Sequence, residues 1–212
     1  MAIQKLFWNR EALNMTPARG VVFVTLATLA TLAMLLIGSG DRRLPDQLRI
    51  SDLTGQQVDP FQAIDAKAIV FIFVSTDCPI SNRYAPEVRR LHSEFETKGI
   101  KFWLVYPNRD ESPAAIRKHT TEYDFSLKVL RDPDHLLVTK AMVHVTPEAA
   151  VFLPEGRLIY HGRIDNQYAD FGKQRPAATE RDLKEVMDAV LAGKTLRHAT
   201  ARAIGCSIPN AQ

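Results

Sequence analysis

The sequence predicts an α/β domain built on a central mixed sheet flanked by helices, and three observations carry that reading. Continuous apolar, β-rich runs, "AIVFIFVS" and "IKFWLVYPN", suit strands buried on both faces. A stretch of helical period follows each of them, so strand and helix alternate as in parallel β-α-β units. The rhythm then changes to two strands around "PEG" in "AAVFLPEGRLIYHGRI", a hairpin that makes the sheet mixed.

Ahead of this domain, residues 20–40 carry no charge, and "VVFVTLATLATLAMLLI" is long enough to span a bilayer. Lys5, Arg10 and Arg19 precede it and favour an inside N-terminus, while Arg42 and Arg43 weaken the asymmetry. The order read is a leader at 1–19, an uncleaved transmembrane anchor at 20–40, a linker at 41–47, the domain at 48–194 and a C-terminal tail at 195–212. A cleaved signal peptide ending near Gly38 or Gly40 is the alternative. The expected location is a bacterial inner membrane, crossed once, with the domain in the periplasm, where disulfides are permitted.

Leading into the domain, "DRRLPDQLRISDLTGQQVDPFQAIDAK" reads as a tether entering a small hairpin or strand. After "AIVFIFVS", Tyr84, Val88, Leu91 and Phe95 recur at helical spacing, and Gly99 is placed to end the helix. Ser112 and Pro113 open a second helix, "LKVLRDP" gives a short third strand, and "DHLLVTKAMV" is helical. In "TERDLKEVMDAVLAG", Leu183, Val186, Met187, Val190 and Leu191 share a face, Thr179 is the expected N-cap, and Gly193 lies past the end. The tail, "KTLRHATARAIGCSIPNAQ", has no clear period.

A net charge of +3 without any long basic block excludes tracking of a phosphate backbone, so nucleic acid is not an expected partner. His92, His119, His135, His161 and His198 share no ligand spacing, and neither a metal nor a cofactor is expected. The chemistry rests on two cysteines. Cys78 stands where the central strand meets a helix, and a helix N-terminus favours thiolate through free N–H groups and the dipole. Asp77 opposes this when ionised, and Arg83 offsets it if its side chain turns back. The bland alternative makes Cys78 a small apolar residue at a strand end.

The order of elements, with a thiol at that junction, is what a thioredoxin-like domain looks like. In "CPISNRYAP" the spacing from Cys78 to Pro86 resembles the thioredoxin pattern. Thr146-Pro147, just before a strand in "VTPEAAVF", resembles the cis-proline loop that faces the thiol and presents backbone to an extended substrate. "DCPISNRYAPE", "YHGRIDNQYADFG" and "GCSI" together resemble the peroxiredoxin-like redoxin branch related to alkyl hydroperoxide reductase and thiol-specific antioxidant proteins.

The resemblance implies a thiol oxidoreductase acting through Cys78 on a protein disulfide or a peroxide, with an external thiol or dithiol as reductant. Its pattern is met only in part. Ser81 replaces the second cysteine of C-x-x-C, which rules out local dithiol exchange. Ser75 takes the place of the peroxiredoxin threonine, Phe71 that of its proline, and Pro147 falls about where its peroxide-binding arginine belongs. Asn82 and Pro147 break the copper site of the Sco type, and His144 reads as a loop residue.

The candidate site is therefore Cys78 and Cys206 as attacking and resolving thiols, Thr146 and Pro147 as substrate contacts, and Ser75, Asp77, Ser81 and Arg83 in support. The competing class is a non-catalytic redoxin scaffold that binds a partner or metal, with Cys78 and Cys206 locked in a structural disulfide. Arg163 and Asp165 are expected to pair, with Tyr168 and Phe171 packing beneath them.

Overall fold

The computed structural model describes residues 48–63 and 65–209. The predicted leader, apolar span and linker lie outside the described residues, among which no helix is long and apolar enough to cross a membrane. At the middle of the sheet is β3 (Ala68–Phe73), whose six side chains are all buried. Alternation sends Ala68, Val70 and Ile72 into one core and Ile69, Phe71 and Phe73 into another on the opposite face, which explains the unbroken apolar run.

The first two strands, β1 (Ile50–Ser51) and β2 (Gln57–Val58), form a small antiparallel hairpin, one of the two forms the sequence leaves open. From β3 the chain enters helix α1 (Pro79–Phe95), and Gly99, at φ +93°, turns it through a short 3-10 segment into β4 (Ile100–Tyr106). Helix α2 (Pro113–Glu122) starts at Ser112, whose Oγ accepts from Ala115 N at 3.2 Å. Strand β5 (Lys128–Arg131) and the short helix α3 (Leu136–Ala141) follow. β3, β4 and β5 are parallel.

Next come β6 (Val145–Thr146) and the hairpin of β7 (Glu148–Phe152) with β8 (Leu158–Gly162). A small ribbon, β9 (Tyr168–Asp170) with β10 (Lys173–Gln174), precedes helix α4 (Asp182–Leu191). The tail adds β11 (Thr200–Ala201) and β12 (Cys206–Ser207). The main sheet runs β11-β8-β7-β3-β4-β5-β1-β2, with β7 antiparallel to β3 and β12 pairing separately with β6.

Helices α1 and α4 pack on the Val70 face through Tyr84, Val88, Leu91, Phe95, Leu183 and Met187, while α3 covers the Phe71 face. Three sequence expectations are corrected. Arg181, not Thr179, occupies the N-cap position of α4, without a side-chain cap, and Asn166 holds Thr179 instead, taking its backbone N–H at 2.9 Å and donating to its hydroxyl at 2.8 Å. Arg163 pairs with Asp182 and Glu180 on the α4 side, whereas Asp165 accepts from Tyr84 Oη at 2.6 Å. Tyr168 packs inward beside Tyr84, but Phe171 is 63% exposed at the β9–β10 turn.

Candidate functional site

The C-terminal ends of parallel strands are where an α/β sheet delivers side chains to a cleft, and β3 delivers residues 74–78 there. Cys78 is the N-cap of α1, with extended backbone and 1% exposure. Pro79 occupies the first helical position and has no N–H to offer, so the helix end addresses the sulfur through the Ser81 amide and hydroxyl.

Across from α1, the Thr146-Pro147 bond is cis, as the sequence resemblance implies. Glu148 shapes the approach to it by accepting from His144 N at 2.9 Å and Val145 N at 3.3 Å. The Cys78 thiol donates to Thr146 O at 2.9 Å. On its other side Thr146 pairs with the tail: β12 runs antiparallel to β6 with Cys206 opposite Thr146, and Ile208 N donates to His144 O at 3.0 Å. Gly205 makes that approach possible, since a Cβ there would lie 2.2 Å from Thr146 O. The tail, featureless in sequence, thus lies against the Thr146 backbone that the resemblance offers to a substrate.

Cys78, Cys206, Ser81, Thr146 and Pro147 converge in this way, with both thiols free and Cys206 half-buried. Burial pushes the Cys78 thiol up, but hydrogen bonds from the Cys206 thiol, from the Ser81 hydroxyl and amide, and from the Cys206 amide outweigh it, so its pKa falls below the ordinary value. Ser81 Oγ has no partner while Cys78 keeps its proton, so its hydroxyl is free to turn to the thiolate. Cys206 moves the opposite way: burial and the neighbouring Cys78 push it up to about 12. The two thiols are thus set apart in acidity, with Cys78 as the acidic member of the pair.

The supporting residues divide. Ser75 is turned beneath the loop, donating to Glu111 Oε1 at 3.0 Å and accepting from Asn108 Nδ2 at 3.0 Å and Asp77 N at 3.4 Å. Asp77 is exposed. Arg83 is also exposed, and its polar contact is the Tyr168 hydroxyl at 3.4 Å.

Glu111, absent from the sequence reading, is 6% exposed and also takes the Thr76 amide at 2.5 Å. Burial raises its pKa against the pull of these donors, with Asp77 adding to the rise. The available signal was topological, because the loop after β4 must lie beside the loop after β3. A second unforeseen group is His119, buried on α2 between Tyr106 Oη at 2.7 Å and Asn82 Oδ1 at 2.8 Å. Among the described residues no group of three or more His, Cys, Asp or Glu side chains could hold a metal ion.

Two cavities flank the thiol pair. One of about 1010 Å³ lies on the Asp77 and Glu111 side. The other, about 290 Å³, lies between the start of α1 and the β9–β10 ribbon and is lined by Cys206.

Comparison with known proteins agrees with this architecture. A family model described as AhpC/TSA family matches residues 42–161. A hypothetical protein from Sinorhizobium meliloti is similar at 23% identity and a TM-score of 0.66, over 76% of this chain and 89% of that one. An uncharacterized conserved protein from Geobacillus kaustophilus gives 23% and 0.66, over 76% and 87%. A candidate thioredoxin from Neisseria meningitidis gives 16% and 0.51, over 68% and 87%, and shares the thioredoxin-like fold. No curated protein matches the chain.

Proposed function

The chain belongs to the AhpC/TSA family, and from that premise we propose that it is an exported, membrane-tethered thiol–disulfide oxidoreductase, with Cys78 as its nucleophile and Cys206 as its resolving thiol. The observation that carries this reading is the juxtaposition of two free thiols of opposite acidity at the cis-proline loop. A thiolate attacks and leaves best where its charge is stabilised, and Cys78 has that place. Cys206, held protonated beside it, becomes the partner that closes an intramolecular disulfide.

Disulfide exchange is favoured over peroxide reduction by Ser75. A peroxide needs a hydroxyl donor beside the thiolate, and the Ser75 hydroxyl donates its proton to Glu111 Oε1 instead. The tether and export rest on the apolar span at residues 20–40.

The test is turnover of the full-length protein in detergent with a disulfide substrate and, separately, hydrogen peroxide. Disulfide exchange that Cys78→Ser abolishes is expected, together with peroxide turnover no faster than that of a free thiol. A Cys78–Cys206 bridge that never opens under exchange conditions would establish the scaffold instead.

A further inference from the structure

Resting on that reading, we infer that the cavity beside Cys206 is a docking site for a cysteine-bearing segment of a partner dithiol protein, and that exchange with this partner enters at Cys206. Three observations converge on it. Cys78 is 1% exposed and the strand β12 lies across Thr146, so the sulfur that this cavity presents to a partner is that of Cys206, which lines it.

The cavity's volume of about 290 Å³ suits one or two side chains rather than a whole small-molecule ligand. Its wall is also built for recognition. Asp170 Oδ1 accepts from Phe171 N at 2.9 Å and Gly172 turns at φ +71°, which leaves Phe171 63% exposed at the rim. Arg83 and Gln174 both bond the Tyr168 hydroxyl, at 3.4 and 3.3 Å.

Arg83 is the charged residue of this lining, and among the described residues it bonds the Tyr168 hydroxyl and makes no ion pair. The segment that fits carries an acidic residue beside its cysteine, for Arg83, and an apolar one for Phe171.

The chemistry runs on the Cys78–Cys206 disulfide. A thiolate of the partner attacks Cys206 Sγ, the S–S bond breaks, and its electron pair leaves on Cys78, the better leaving group of the two. A mixed disulfide now joins the partner to Cys206. The partner's second thiolate attacks the partner sulfur of that bond and expels Cys206 as a thiolate, which takes up a proton. Two partner thiols have been oxidised to a disulfide and the enzyme disulfide has been reduced.

The experiment uses the full-length protein in detergent, oxidised with diamide, and three synthetic dithiol peptides that differ only in Glu, Gln or Lys beside the first cysteine. Rates are taken relative to each variant's own rate with dithiothreitol. The Glu peptide should show a KM about two- to fivefold below that of the Lys peptide, the size of one exposed ion pair, with kcat unchanged. Arg83→Glu should reverse the order, and Phe171→Ala should raise KM for all three. Acid quenching with a single-cysteine peptide should place the mixed disulfide on Cys206.

Equal KM values for the three peptides, or a peptide trapped on Cys78, would overturn this inference while leaving the oxidoreductase reading intact. An oxidised protein that dithiothreitol cannot reduce under native conditions would overturn both.

Discussion

At the scale of single residues, Cys78 acidity comes from donors rather than from positive charge. Arg83, the one basic side chain the sequence offers nearby, points to Tyr168 instead. Cys206→Ala should therefore raise the Cys78 pKa, and Ser81→Ala should do so by a separate route. Iodoacetamide alkylation followed across pH should show both shifts as a slower reaction near pH 6 to 7, with Cys206→Ser falling between, since a hydroxyl still donates. In the wild-type protein Cys206 stays protonated up to about pH 12 and should resist alkylation at neutral pH. Cys78 was legible in the sequence because a thiol between an apolar strand and a helix has few plain explanations. Glu111 was not, because nothing local marks a glutamate in a polar loop as buried.

Among the elements, the helices and the strands β3, β4, β5, β7 and β8 follow from period and punctuation, since each buries a face that its own residues specify. β11 and β12 do not, because two-residue strands gain their definition from the partner edge and not from propensity. Gly205→Ala tests how β12 is held. Its Cβ would meet the Thr146 carbonyl, at a cost of about 1–3 kcal/mol of overpacking. The Ile208 amide should then lose its protection in hydrogen exchange.

Helix α3 depends on Asp132, whose carboxylate accepts from Leu136 N, Leu137 N and Val138 N at 2.8–2.9 Å. Burial nevertheless pushes its pKa up to about 6. With the native pKa raised, its contribution to stability is full below about pH 3.8 and is lost as pH rises through about 6. Urea melts of Asp132→Asn should lack that part of the pH dependence.

For the whole molecule, the span at residues 20–40 sets a topological expectation. Full-length protein should sediment with membranes, and protease at the outer face should remove the domain. Recovery of a soluble form starting near Asp41 would identify a signal peptide instead. The seating of β12 on Thr146 has a further meaning. Joined to β11 by only Arg202–Gly205, that strand is a tethered competitor, present at the loop at an effective concentration in the millimolar range. An outside strand that binds the same edge more weakly than that is kept off, however reactive its cysteine. Truncation after Ala201 would remove the competitor, and weak, promiscuous peptide ligands should then bind where only strong ones had.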